Sequence, residues 1–353
     1  MVNIIKHRYW YFLISLLVIV PGTVFLIGGG LKGGIDFTGG TELTFRFPGH
    51  GASSVIQNQL SDAAKKSAKL SEADVLSATP LGGSGTKDAN YLLRIPNIGN
   101  SPQKLAAIQA PLYQAYGCAN LVKTNPSGSY IVPLAKCPNV ILQQENDVGP
   151  TIGAQIRSRA EQAVVVAAVF ILLYISYAFR KVAHPFRYGT CAIIALLHDV
   201  LVVLGIFAIF GKLLGITVDS LFVTAILTVI GFSVHDTIVI FDRIRENMSR
   251  RVGEPFELVV NNAILQSMAR SLNTSLTVLM TLTALLIFGG ASIRIFVLTL
   301  LVGITSGTYS SIFNASPLLV VWENDELGIG RLFRRMKRRK APQKGRAGSA
   351  GAR

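Results

Sequence analysis

Residues 230–247 read Ile-Gly-Phe-Ser-Val-His-Asp-Thr-Ile-Val-Ile-Phe-Asp-Arg-Ile-Arg-Glu-Asn. The stretch opens as the second half of an apolar segment of membrane length and carries a carboxylate, Asp236, inside it. It then leaves through Asp242-Arg243-Ile244-Arg245. An ionisable side chain at membrane depth costs roughly 2.5–3.5 kcal/mol or more, so it usually faces a protein interior and marks ion or substrate traffic. These residues point to a membrane transport component rather than a globular enzyme.

The rest of the chain agrees. Of 353 residues, 50% are hydrophobic and 15% are charged, whereas a soluble domain carries roughly a quarter charged residues. A helix needs roughly 20 mostly apolar residues to cross the hydrocarbon. Six stretches qualify: 9–30, 161–178, 188–211, 218–241, 267–289 and 293–321. The net charge of +15 is concentrated, because residues 331–353 hold ten Lys or Arg and no acid. Lys6 and Arg8 precede span one, Arg180, Lys181 and Arg187 lie between spans two and three, and Arg243, Arg245, Arg250 and Arg251 follow span four. Positive-inside bias then puts both termini in the cytoplasm. The tail reads as a disordered, topology-fixing segment, with binding to anionic lipid, ribosomal RNA or a cytosolic partner as the alternatives. Span one is too long for a signal-peptide core and reads as an uncleaved anchor.

Residues 31–158 form the one long stretch outside the membrane, on the far side from the cytoplasm. Period-2 apolar residues at Leu43, Phe45 and Phe47 predict a strand over 41–47. Helices are expected over 53–70 and from Pro102 to about Tyr116, and strands over 73–79, 90–96, 121–124 and 130–133, with a turn at 82–85. A β-α-β-β-α-β order suggests a ferredoxin-like domain. The expected fold is an α-helical polytopic membrane protein of six transmembrane helices, with a small α+β extracytoplasmic domain between spans one and two. Its parts are 1–30 (N-terminus and first span), 31–158 (outer domain), 159–322 (five-helix bundle) and 323–353 (basic cytoplasmic tail). Residues 256–268 have helical apolar spacing that suits an interfacial or a plain connecting helix. Cys118 and Cys137 share the outer domain and are candidates for a disulfide, while Cys191 in span three reads as a small apolar filler.

The candidate proton-pathway residues are Asp236, Arg270, Asp199, His235 and Asn273. At 1.5 Å per residue, Asp236 and Arg270 fall at similar depth near the cytoplasmic ends of spans four and five, which run in opposite directions. An aspartate that alternates between a guanidinium partner and a desolvated setting can take up and release a proton; a static ion pair orienting two helices is the alternative. Asp199 lies deeper, with His198 as its one basic neighbour, and fits either a proton pathway or an interhelical hydrogen bond. His235 points about 100° away from Asp236 on a helix. Gly303-Ile-Thr-Ser-Gly307 in span six is a close-packing G-x-x-x-G match. No catalytic, metal-ligating or cofactor pattern is present: the glycines at 33–40 fit neither a dinucleotide nor a phosphate loop, and there is no H-E-x-x-H, C-x-x-C or Walker sequence.

Together, Gly34-Ile-Asp-Phe-Thr-Gly-Gly-Thr41, Val148-Gly-Pro150, residues 230–247 and Ser267-Met-Ala-Arg-Ser-Leu-Asn-Thr-Ser275 resemble the SecD/SecF family of bacterial protein-export subunits, its SecF members in particular, within the resistance-nodulation-division superfamily. The carriers include Asp36, Phe37, Gly39 and Gly40 after span one and Asp242 and Arg243 after span four. The resemblance implies a subunit of the plasma (inner) membrane that pairs with SecD, joins the SecYEG channel and helps pull preproteins outward by the proton motive force. YajC and YidC are further candidate partners. It also implies that Asp236 and Arg270 are the coupling residues. The family often has Asn where this chain has His235, and its pattern does not require the two outer cysteines. A non-coupled translocon scaffold and a small exporter of the same superfamily are the alternatives.

Overall fold

The hydrophobic segments and the polar outer stretch fold into two layers that meet at the outer ends of two membrane helices. A computed structural model describes residues 3–50, 53–67, 77–80, 88–95, 102–124, 130–131, 137–180, 182 and 184–326. The basic tail, the turn expected at 82–85 and the first part of the strand expected at 73–79 lie outside the described residues.

Six helical stretches are long and apolar enough to cross a membrane. The first is α1 (Arg8–Ile27). The outer domain follows with β1 (Lys32–Gly33), α2 (Ile35–Thr38), β2 (Gly40–Phe47), α3 (Ser54–Ser67), β3 (Ser77–Pro80), β4 (Ala89–Ile95), α4 (Pro102–Ala115), β5 (Lys123–Thr124), β6 (Tyr130–Ile131) and β7 (Ile141–Val148). The bundle continues with α5 (Pro150–Ala178), α6 (Pro185–Leu214), the short β8 (Thr217–Val218), α7 (Ser220–Arg250) and α8 (Phe256–Phe288). The last span is α9 (Arg294–Ser310), a π-helical turn over Ser311–Ala315, and α10 (Ser316–Glu323).

In the outer domain an antiparallel sheet runs in the order β3-β4-β2-β7. Leu43, Phe45 and Phe47 point into its core with Leu60, Tyr91, Leu93, Ile108 and Leu112. The strand beside β2 differs from expectation. Among the described residues, Lys123–Thr124 and Tyr130–Ile131 pair with each other as β5 and β6, and the fourth sheet strand is β7. Its sequence, Ile-Leu-Gln-Gln-Glu-Asn-Asp-Val, carries no apolar alternation because it is an edge strand with mostly exposed side chains. Cys118 and Cys137 are disulfide-bonded and buried.

The helix expected over 256–268, read as either interfacial or plain connecting, is the first part of α8. Val260, Ala263 and Ile264 are buried in the bundle core, so this segment packs on protein rather than lying along the membrane surface. Small residues let the spans approach closely. A Cβ on Gly22 of α1 would sit 2.7 Å from the Gly205 Cα of α6, and a Cβ on Gly303 of α9 would collide with the Val229 side chain of α7. The G-x-x-x-G face is therefore used within the chain. Cys191 is free and buried, as a filler would be.

Candidate functional site in the membrane bundle

The outer end of α7 carries the motif that follows span one. Gly39 ends α2 at φ 75° and Gly40 has φ 149°, where its missing Cβ avoids the Ile95 carbonyl at 2.8 Å. This sharp turn holds Asp36 so that its Oδ2 accepts the Ser220 N–H at 2.8 Å. Asp219 caps the same helix by accepting the Phe222 N–H at 3.1 Å. The Gly34 N–H donates to the Val218 carbonyl at 2.6 Å, β1 pairs with β8, and Arg94 of the sheet reaches both Glu42 and Thr217. Phe37 packs its backbone against Gly153 of α5. The outer domain is thus bolted to the start of span four. Burial pushes the Asp219 carboxyl up, and the neighbouring Asp36 adds to this against the Phe222 N–H and Arg94.

Deeper in the bundle, Asp199 of α6 is 1% exposed. Its Oδ2 accepts the Ser233 hydroxyl of α7 at 2.5 Å and the Ser310 hydroxyl of α9 at 2.7 Å. Its Oδ1 accepts the Ser306 hydroxyl of α9 at 2.8 Å and lies 3.0 Å from His198 Nδ1. Asp199 therefore ties three helices together. Sequence reasoning singled out Asp199 and its neighbour His198 but missed the serine partners. Ser306 and Ser310 stand four residues apart, so they share one helix face. With Ser233 one turn before Asp236, they were the available signal.

Asp236 of α7 is 3% exposed, and it contrasts sharply with Asp199. Its Oδ2 is buried without a hydrogen-bond partner, and so is the Ser271 hydroxyl of α8 that faces it. The expected pairing of Asp236 with Arg270 is absent: among the described residues neither forms an ion pair, and Arg270 is exposed. Adjacent helix positions point about 100° apart, so α8 can offer either Ser271 or Arg270 to α7, and here it offers Ser271. His235 and Asn273 are also exposed. They sit with Arg270, Thr224, Thr228, Thr274 and Thr277 on the outward faces of α7 and α8, a polar lateral surface on membrane-length helices. Asp242 and Arg243, at the exit of span four, make pairs with Arg245 and Glu246 at 2.6 Å on the extension of α7. Their setting is that of a solvated helix face.

The described residues hold no group of three or more His, Cys, Asp or Glu that could bind a metal. The bundle holds two buried carboxyls, Asp199 bonded to donors and Asp236 with Oδ2 unpartnered, and the exposed Arg270 pairs with neither.

Comparison with known proteins bears directly on these motifs. Residues 134–325 match the family described as "Protein export membrane protein SecD/SecF, C-terminal". The chain is 49% identical over 337 residues to the protein translocase subunit SecF of Thermobaculum terrenum, covering 95% of this chain and 98% of that one. It is 39% identical over 332 residues to the SecF subunit of Anaerolinea thermophila, covering 92% and 96%. Among solved structures it resembles SecDF of Thermus thermophilus, described as a translocon-associated membrane protein, with a TM-score of 0.71 and 28% identity. That match covers 92% of this chain but 39% of the SecDF chain.

Proposed function

Because this chain belongs to the SecD/SecF family of protein-export membrane proteins, we propose that it is the SecF-type accessory subunit of the Sec translocase, pairing with SecD and using the proton motive force to promote preprotein translocation across the bacterial inner membrane. A relative that joins both subunits in one SecDF chain supports the pairing with SecD. SecYEG is the channel it would serve, with YajC and YidC as further candidate partners. Both termini lie in the cytoplasm in this reading. Residues 1–30 provide the first span, 31–158 a ferredoxin-like outer domain, 159–322 the five-helix bundle and 323–353 the basic tail.

The observation that carries the coupling step is the unpartnered, buried Oδ2 of Asp236 beside Ser271. A carboxylate oxygen left without a donor in a desolvated setting is disfavoured, so a proton on Oδ2 suits this conformation. Loss of that proton creates a buried anion that needs a cation. A rotation of α8 by about 100°, one residue step, exchanges Ser271 for Arg270. Until then Arg270 needs cover, because a guanidinium facing hydrocarbon costs roughly 2.5–3.5 kcal/mol or more. The polar lateral surface with Asn273 and His235 is the face SecD would cover. Movement at Asp236 travels along α7 to its outer end, where Gly34, Asp36 and Arg94 attach the outer domain. Such rigid coupling turns a change in helix packing into a tilt of that domain against emerging preprotein.

The test is complementation in a strain depleted of its own SecF. Wild type restores export, whereas Asp236→Asn, recovered with SecD at wild-type amounts, does not. Full export by Asp236→Asn would overturn the coupling role.

A further inference from the structure

We propose that the cleft between α8 and the end of α9 holds one acyl chain of an anionic phospholipid, with Lys6 and His7 meeting its phosphate. In the proposed topology this is a lipid of the cytoplasmic leaflet. The site does not depend on the proton-coupling reading.

The cleft has a volume of about 290 Å³. Leu272, Leu276 and Leu279 of α8 form one wall, and Tyr309, Ile312 and Phe313 form the other. Leu272 and Leu276 are about half exposed, so the cleft opens sideways. Ile312 and Phe313 belong to the π-helical turn, a rare form frequent at functional sites. The polar groups of the lining are spent inside the protein. Thr305 donates to the Leu301 carbonyl at 2.7 Å, Thr308 bonds to Ser275 at 2.6 Å, and the Tyr309 hydroxyl donates to the Tyr11 carbonyl at 2.9 Å. A polar occupant would bury groups that find no partner here, whereas an alkyl chain loses nothing. An α-helix, roughly 10–12 Å across, is too wide to enter.

Depth and charge mark that alkyl chain as a lipid's. The Tyr11 ring of α1 packs on Phe313 at 4.7 Å, and the adjacent Tyr9 and Trp10 are exposed, as in an interfacial aromatic belt. From Phe313 the cleft runs back to Thr305, eight residues or roughly 12 Å. That is close to one leaflet, half of a hydrocarbon core about 30 Å thick. Before Tyr11, on the headgroup side, come Arg8, His7 and Lys6. Arg8 is spent on Glu326 and Glu257, which leaves the exposed Lys6 and His7 to meet a phosphate. This surface is separate from the polar one that carries Arg270, because Leu272 stands two residues on, roughly 200° round α8. Val165, Val169 and Phe170 of α5 are as exposed but do not line the cleft, so they represent ordinary lipid contact.

The test is photocrosslinking of the full chain in lipid nanodiscs, with and without SecD, using phosphatidylglycerol and phosphatidylcholine that carry a diazirine on one acyl chain. Labelled peptides are mapped by mass spectrometry. The phosphatidylglycerol probe is expected to label 272–279 and 305–313 above the exposed face of α5, and above the phosphatidylcholine probe at the same peptides. Leu276→Trp fills the cleft from an exposed position and removes that labelling, while α5 keeps its own. Lys6→Gln combined with His7→Gln brings the two probes to equal labelling. Uniform labelling of the cleft and α5 overturns the site, as does full labelling of Leu276→Trp. Equal labelling of wild type by the two probes overturns the choice of an anionic lipid. Loss of labelling when SecD is present means that a protein segment covers the cleft, which also overturns it. Where Leu276→Trp does not assemble, Leu272→Trp makes the same test, and if neither assembles the wild-type map decides.

Discussion

Asp36 and Asp219 both spend their carboxylates on the first turn of α7, at 2.8 and 3.1 Å, and the closeness of two acids there has a measurable cost. Asp36→Ala leaves the Ser220 N–H without its acceptor, and the expected loss is about 1 kcal/mol, the usual magnitude for a lost cap. It should appear as a lower thermal midpoint of the full chain. Asp219→Asn behaves differently. Asn keeps the cap acceptor but removes a charge that burial and Asp36 disfavour. A carboxyl whose native titration point is raised weakens the folded state at neutral pH, and that penalty fades as pH falls through the raised point. Asp219→Asn should therefore unfold at a higher temperature than wild type at pH 7, with the gap closing on acidification. A gap that widens toward low pH would show that Asp219 is not raised. The same physics separates the two membrane aspartates. Asp199 accepts from donors on three helices, while the Oδ2 of Asp236 is buried without a partner.

At the scale of elements, glycine positions report which helices must touch. Gly303 of α9 lies against Val229, so Gly303→Ala forces a methyl into a packed interface, at a cost of about 1–3 kcal/mol. Gly231 of α7 has nothing within 4 Å of the equivalent point, and Gly231→Ala should be neutral or mildly stabilising, since Ala is the better helix former. Thermal unfolding of the two variants in detergent separates these outcomes; equal midpoints would mean α9 does not pack on α7 as described. All six spans were legible because each is a long apolar run, and the core strands because Leu43, Phe45 and Phe47 alternate. β7 was not legible, because a polar edge strand borrows its order from β2 rather than from its own side chains. The continuity of α8 was hidden for a related reason. Val260, Ala263 and Ile264 give the same spacing whether they face lipid or protein, and only tertiary packing chooses. Asp236 was readable as a buried carboxyl. Whether Arg270 or Ser271 faces it depends on the rotation of α8, which no local pattern sets.

Across the whole molecule, the buried Asp236 carboxyl and the attachment of the outer domain lie on the same helix. α7 carries Asp236 inside the bundle and the Asp219 cap at its outer end. One element thus links Asp236 to the outer domain, so the proposed coupling needs no separate transmitting element. Arg270, Asn273 and His235 are exposed, and theirs is the surface that the proposed partner SecD would cover. The central claim is that Asp236 couples the proton gradient to export. The measurement is preprotein export in inverted membrane vesicles, comparing wild type with Asp236→Asn with and without an uncoupler. The account predicts that the variant assembles with SecD, keeps the uncoupler-insensitive part of export and loses the uncoupler-sensitive part. Unchanged export with unchanged uncoupler sensitivity would contradict it and leave the chain a scaffold of the translocon.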